Sequence, residues 1–376
     1  MSKSTQLMGL SLKNPILVAA GPWARDGASL QRCIDAGAAA VVTETLTLEA
    51  HRNICPRIYL EGQSMLNTKL YSDLQLEQWE AEMEQLQKKD CKLIFSIWAS
   101  TPSELAYLAA RAERLGADAL EISISAPVGA RNQRLRTRPE NCHALIQAAV
   151  QAADIPVMVK LSYEAAQYSD YLRAVEDAGA NALSAIDAIK GLNGIDLERG
   201  QARMPSYGGY TGLPIHPISL ATTATLLQCT QMQVCSIGGI FSGEGALEFL
   251  MLGAHAVQLA SVIQQQGYDA ITRIIGEVEA WMDAHGYATV EQLRGVALSS
   301  LSTFEDLNPR PLAARLLSPC DGLGCSLCAQ GCLYQAISMG PEGIRIDPDV
   351  CSGCGLCVQR CPCLLYTSPS PRDTER

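Results

Sequence analysis

Basic side chains are scarce in this chain: 29 Lys and Arg stand against 39 Asp and Glu, a net charge of −10 over 376 residues. Non-specific binding to a phosphate backbone needs a basic face, so nucleic acid is excluded as the expected partner. Charge of either sign is sparse, 18% against an ordinary ~25%, which favours strands buried on both faces. No apolar run approaches the ~20 residues of a membrane span. Residues 1–12 also lack the basic, apolar, then small-residue succession of a secretory signal. The expected setting is the cytoplasm, away from membranes.

The length exceeds a typical ~100–200-residue domain and suits a ~250-residue barrel with a small appendage. Of 15 cysteines, nine fall between Cys320 and Cys363. The others, Cys33, Cys55, Cys91, Cys142, Cys229 and Cys235, mostly adjoin apolar residues and read as buried free thiols in a reducing compartment.

Over the first ~300 residues short apolar runs alternate with Ala- and Leu-rich amphipathic stretches, the pattern of parallel strands joined by helices. Eight runs read as strands: Ile16–Ala20, Ala40–Thr45, Leu93–Trp98, Ala119–Ser125, Val157–Leu161, Ala182–Asp187, Val234–Ile237 and Ala256–Ala260. Eight such units close a (β/α)8 TIM barrel, an α/β fold. A repeated link supports the count, because Gly37, Gly116, Gly179 and Gly253 each sit between a helical pattern and a strand. Glycine there can take the left-handed conformation that ends a helix. A helix over Ser72–Lys89 aligns Leu76, Trp79, Met83 and Leu86 on one stripe, which makes the tryptophan core.

Two longer connections, Glu49–Tyr71 and Ala188–Pro214, follow the second and sixth strands and serve the active-site face. A third, Ala126–Arg138, carries Arg131, Arg134, Arg136 and Arg138; a solvated or docking surface and an anion-binding lid both suit it. The proline pair Pro309 and Pro311 sets the boundary: residues 1–308 form the barrel, 309–363 a cysteine-rich domain, and 364–376 a polar ending read as a disordered or non-native tail.

Cys351, Cys354, Cys357 and Cys361, the last followed by Pro362, match the C-x2-C-x2-C-x3-C-P run of two-cluster ferredoxins. There the fourth cysteine of each run serves the other cluster. One [4Fe-4S] cluster is therefore assigned to Cys351, Cys354, Cys357 and Cys332, and a second to Cys320, Cys325, Cys328 and Cys361. The first run departs from the pattern, since four residues separate Cys320 from Cys325 and Leu333 follows Cys332. Zinc is the competing reading, although zinc sites use separated cysteine pairs.

In such a barrel phosphate sits near the loops after strands seven and eight. Those ends read Gly238-Gly239 and Ala260-Ser261, small residues with free N–H groups and a hydroxyl. Lys160 is a charged residue in an apolar strand, and alternation turns it inward. It reads either as an ion pair within the barrel or as a cation beside a flavin ring, stabilising negative charge on reduction.

Together these features resemble the FMN-dependent dihydroorotate dehydrogenases, and among them the FMN and iron–sulfur subunits of bacterial NAD-dependent dihydropyrimidine dehydrogenases. The resemblance spans residues 7–362 and rests on Asn14–Gly21, Cys55–Arg57, Gly116–Glu121, Lys160, Gly191–Glu198, Gly208–Gly212, Gly238-Gly239 and the cysteine runs. It implies FMN contacts from Ala20, Gly21, Thr45, Lys160, Gly212, Gly238, Gly239, Ala260 and Ser261, and pyrimidine contacts from Asn67 and Ser123. It also implies an FAD- and NAD(P)H-binding electron-transfer subunit as partner, and a homodimer or heterotetramer.

The departures gather where substrate would bind. Where the family has Asn-Leu-Ser-Cys-Pro, with the cysteine as general acid/base, this chain has Ser123, Ile124, Ser125, Ala126 and Pro127. The family's flavin-side lysine on the second strand is Glu44, and its Asn-Thr pair after the sixth is Asp187 and Ala188. Ser125, Glu44 and Asp187 are the remaining candidates for proton transfer. Ser125 lies one residue off and so faces the other way along an extended segment. Glu44 and Asp187, if buried side by side, could hold one proton between them; otherwise they pair with Lys160 or Arg57. Two readings follow: an FMN and iron–sulfur oxidoreductase acting on a C–C bond of a small ring, and a diverged electron-transfer or assembly subunit that binds FMN without turning over a pyrimidine.

Overall fold

The computed structural model describes residues 3–49, 55, 57–124, 138–307, 312–317, 320, 325–340, 343–362 and 366–367. The chain divides into two compact units at Leu301/Ser302, upstream of the proline pair.

The first unit is the expected barrel. Its strands are β1 (Ile16–Val18), β2 (Ala40–Val42), β3 (Lys92–Ile97), β4 (Ala119–Ser123), β5 (Val157–Leu161), β6 (Ala182–Ala185), β7 (Gln233–Ile237) and β8 (Ala256–Leu259). They close in sequence order, each parallel to the next, with β8 returning to β1. Every residue of β4 and β5 is buried, as a sheet covered on both faces requires. Alternation then sorts them: Val157, Val159 and Leu161 pack outward among the helices, whereas Met158 joins the barrel interior. Lys160 shares the inward face with Met158.

The links behave as expected, Gly37, Gly116, Gly179 and Gly253 all taking positive φ. The helix Leu76–Glu84 is shorter than its apolar stripe suggests, but Trp79 is fully buried and donates from Nε1 to Ser72 Oγ at 3.0 Å. Leu7, Met8 and Leu12 of an N-terminal hairpin pack with Ala40, Ala119, Ala182 and Ala256, the first residues of their strands. The hairpin thus fills the N-terminal end of the barrel and leaves the opposite mouth as the place for a ligand.

The two long connections are not separate loops. Ile189–Gly191, Gly208–Gly212, Ser64–Asn67 and Ile58–Glu61 pair, in that order, as one antiparallel sheet. Among the six scattered cysteines, Cys33, Cys91, Cys142 and Cys235 are buried as read, but Cys55 and Cys229 are exposed. Arg131, Arg134 and Arg136 lie outside the described residues, and Arg138 stands just before the helix Pro139–Ala152.

The second unit holds two short helices, Leu327–Gly331 and Leu356–Arg360, and the hairpin Ile337–Gly340/Gly343–Ile346. Its small core is Ala314, Cys328, Ile337 and Ile344, packed by Cys320, Cys332, Cys351, Cys357 and Cys361. Within the ending read as a disordered or non-native tail only Tyr366–Thr367 are described, and they pair antiparallel with Arg315–Leu316. Among the described residues no helix is long and apolar enough to cross a membrane.

Candidate functional site

The C-terminal ends of the barrel strands and the inserted sheet enclose a cavity of about 390 Å³, within the ~300–1,000 Å³ usual for small-molecule sites. Ala20 and Gly21 reach it from the end of β1, Glu44 and Thr45 from β2, Ser123 from β4 and Lys160 from β5. Asp187 follows β6, Gly238 and Gly239 follow β7, Ala260 and Ser261 follow β8, and Asn67 enters from the inserted sheet. Gly212 is not among the lining residues. At φ +101° it crosses the inserted sheet so closely that a Cβ would collide with the Gln63 carbonyl, so its glycine serves strand pairing. Ser125 lies outside the described residues.

The turn after β7 has no room for side chains. Gly239 takes φ +69°, and a Cβ there would stand 2.6 Å from the backbone nitrogen of His216, at the start of the helix His216–Cys229. A Cβ on Gly238 would meet Ser219 of the same helix at 2.7 Å. Glycine at both positions lets the turn lie directly against that helix, and both residues line the cavity together with Ser261.

Lys160 is 6% exposed, and its ammonium faces two carboxylates, Asp187 Oδ1 at 3.7 Å and Glu121 Oε1 at 4.0 Å. Burial works against its charge, but Asp187 and Glu121 outweigh that penalty and hold its pKa above the ordinary lysine value. Glu121 itself is fully buried. Ser184 Oγ donates to its Oε2 at 2.9 Å and Gln258 Nε2 at 3.0 Å, while Oε1 has no hydrogen bond among the described residues. Lys160 is thus an interior ion pair whose residue also lines the cavity.

Glu44 and Asp187 do not share a proton as a pair. Asp187 is engaged by Lys160 and accepts from the Ala188 N–H at 2.8 Å. Glu44 Oε1 instead meets Lys69 Nζ at 2.7 Å, and Lys69 also holds Asp73 at 2.9 Å. Burial pushes the Glu44 carboxyl up to about 7 against the pull of Lys69. Its Oε2 is buried with no hydrogen-bond partner among the described residues. The backbone N–H of Lys69 donates to Asn67 Oδ1 at 2.9 Å, which leaves Asn67 Nδ2 as the donor available to a ligand. Thr45 Oγ1 is hydrogen-bonded to Ser96 Oγ at 2.8 Å.

Two residues of this site are not among the site residues expected from the sequence. Glu121 carries the same signal that marks Lys160, a charge at an inward position of an apolar strand. Lys69 carries no such signal, because only the inserted sheet brings it to Glu44.

In the second unit Cys332, Cys351, Cys354 and Cys357 line one small pocket of about 20 Å³. These four are the set assigned to one cluster, and Cys351 Sγ accepts from the Ala314 N–H at 3.5 Å. Cys320, Cys328 and Cys361 pack on the adjoining core, and Cys325 is half-buried. Among the described residues no three His, Cys, Asp or Glu side chains converge on a single ion.

Residues 2–282 match the protein family described as dihydroorotate dehydrogenase, a match that stops short of the cysteine-rich unit. The catalytic subunit of dihydroorotate dehydrogenase B (NAD(+)) from Pyrococcus abyssi is 31% identical over 302 residues, covering 78% of this chain and 98% of that protein. The chloroplastic dihydropyrimidine dehydrogenase (NADP(+)) of Arabidopsis thaliana is 28% identical over 338 residues, covering 82% of this chain and 79% of that protein. Among solved structures, DHODH of Eimeria tenella in complex with ferulenol superposes with a TM-score of 0.68 at 18% identity, over 78% of this chain and 88% of that one. At that identity the likeness is one of fold.

Proposed function

Since the chain belongs to the dihydroorotate dehydrogenase family of oxidoreductases, we propose that it is an FMN-dependent enzyme acting on a C–C bond of a small pyrimidine-like ring. Electrons would pass through two [4Fe-4S] clusters to or from a partner flavoprotein that binds FAD and NAD(P)H. The observation that carries this reading is Lys160, a buried cation opening on the same cavity as the Gly238-Gly239 and Ala260-Ser261 turns.

The cavity residues fit FMN by their chemistry. Side-chain-free backbone after β7 and the N–H and hydroxyl of Ser261 suit a phosphate at strand ends seven and eight. Ala20, Gly21 and Thr45 would border the cofactor on the β1 and β2 side. Bound FMN would supply hydride transfer and split electron pairs into single electrons for the clusters. Lys160, kept charged by Asp187 and Glu121, would offset negative charge developing beside it. Asn67 Nδ2 and Ser123 Oγ would orient the ring.

Hydride movement at a saturated C–C bond also moves a proton on the neighbouring carbon, and Ala126 stands at the family's cysteine position. Ser125, Asp187 and Glu44 remain as proton carriers. Asp187 is held by Lys160, whereas Glu44 has a free Oε2 and a carboxyl near neutrality, so Glu44 is the best placed. The sequence feature that favours the second reading, FMN binding without pyrimidine turnover, is Ala126.

Both cofactors can be tested together. Protein reconstituted anaerobically should hold one FMN and, by two-cluster logic, about eight irons and eight sulfides per chain. Uracil, thymine or dihydroorotate should perturb the bound-flavin absorbance. Protein that takes up no FMN, or stoichiometric zinc in place of iron, sinks the proposal; bound flavin insensitive to every ring leaves the second reading.

A further inference from the structure

The barrel interior is filled in layers, and one layer breaks the pattern. Ala40, Ala119, Ala182 and Ala256 of the even-numbered strands form the lowest, and Leu17, Ile94, Met158 and Cys235 of the odd-numbered strands the next. Two residues further along, the even strands contribute Val42, Glu121, Ser184 and Gln258. Bulky apolar side chains ordinarily fill such a layer, yet all but Val42 are polar here, and every one is buried. Lys160 belongs to the following layer and lines the cavity.

The polar layer is organised around Glu121. Ser184 and Gln258 both donate to its Oε2, at 2.9 and 3.0 Å, which fixes the carboxylate and leaves Oε1 as the oxygen 4.0 Å from Lys160 Nζ. Asp187, itself a lining residue, meets the same ammonium at 3.7 Å. One cation is thus set against two carboxylates. Cys235 adds no charge, because burial holds its thiol well above the ordinary range. A buried ion pair is often no more stabilising than apolar side chains of the same volume, so the fold alone does not call for Glu121.

Resting on the FMN reading above, we propose that Glu121 is a positioning residue for electron transfer: acting through Lys160, and together with Asp187, it holds the reduction potential of bound FMN below the value that the ammonium alone would set. Uptake of two electrons and one proton adds one negative charge to the flavin. Lys160 favours that charge and the two carboxylates oppose it, so FMN is harder to reduce and passes its electrons on more readily. A unit charge at ~10 Å, with an effective dielectric constant of ~20, is worth roughly tenfold in that equilibrium. For a two-electron couple this is ~30 mV.

Spectroelectrochemical titration of the FMN-loaded full chain at about pH 8 tests this, with FMN content measured on each sample. Glu121→Gln keeps the volume and the acceptor for Ser184 but loses the charge, and its FMN potential should rise by ~30 mV. Glu121→Asp keeps the charge but loses packing, and its potential should stay closer to wild type than to that of Glu121→Gln. Should Glu121→Gln fail to fold, Asp187→Asn removes the other carboxylate and should raise the potential likewise. A Glu121→Gln potential equal to wild type, or a Glu121→Asp shift as large as that of Glu121→Gln, overturns the proposal and leaves the FMN reading standing. An unshifted Asp187→Asn does the same where Glu121→Gln does not fold. If the full chain takes up no FMN, the FMN reading fails and the proposal with it.

Discussion

Oε1 of Glu121 lies 4.0 Å from Nζ of Lys160 inside the barrel, and the carboxylate has no solvent exposure. The ammonium is therefore part of what keeps Glu121 tolerable in the interior. Removing one partner of a buried pair typically costs ~3–5 kcal/mol, because the other charge is left uncompensated. Lys160→Met should accordingly lower the melting temperature as well as the FMN content. Adding Glu121→Gln should restore much of the stability, since the amide still accepts from Ser184, but should not restore the flavin. A single variant that melts like wild type would show that Glu121 carries no charge there.

The turn after β7 gives a prediction with an internal control. Gly239→Ala demands both φ +69° and a Cβ 2.6 Å from the His216 nitrogen, whereas Gly267→Ala demands φ +84° with open space around it. Unfavourable backbone alone costs on the order of 1 kcal/mol. Gly239→Ala should therefore destabilise by at least ~1 kcal/mol more than Gly267→Ala, the added cost of shifting the start of a helix. It should also lower FMN affinity. Equal melting temperatures for the two variants would contradict the close packing described.

Glu44 makes stability depend on pH with a definite sign. Its folded pKa of about 7 lies above the ordinary 4.5, so the folded state holds the extra proton between those values. Stability falls as pH rises through that window, by ~3 kcal/mol in full. His255 works the other way: burial and Arg294 push it down to about 4 from 6.5, so it gains stability over an overlapping range. The clean measurement is the difference between wild type and Glu44→Gln in chemical unfolding. The variant should gain on wild type as pH increases from 5 to 8, and a difference independent of pH would place the Glu44 pKa outside the window.

Much of the barrel is legible from the sequence because each strand is a short apolar run and each link carries a glycine that ends a helix. Lys160 is legible for the same reason, as a charge where the pattern demands an apolar side chain. Glu121 violates the pattern identically and could be found by the same rule. The inserted sheet resists such reading, because Ser64–Asn67 pair with Gly208–Gly212 more than a hundred residues away and neither segment has an alternating pattern of its own. Lys69 is hidden with it. Its pairing with Glu44 is a product of tertiary contact, which is why Arg57 and Lys160 are the partners that sequence proximity and strand ends suggest.

Proton transfer supplies the last prediction. A positioned acid or base contributes typically ~10²–10⁴-fold, and alanine at position 126 offers no such group. Glu44 can carry a proton near neutral pH, yet it is tied to Lys69 through Oε1, and moving its proton disturbs that pair. Turnover of dihydropyrimidines should therefore be slow, limited by the proton and not by flavin reduction potential, with solvent isotope effects on the rate. Ala126→Cys should raise it only modestly, because Glu44 and Asp187 still shape the contacts around the ring, and Glu44→Gln on top of that change should not abolish the gain. Rates in the unmodified chain that match those of cysteine-bearing relatives would show that another group, outside Ser125, Glu44 and Asp187, delivers the proton.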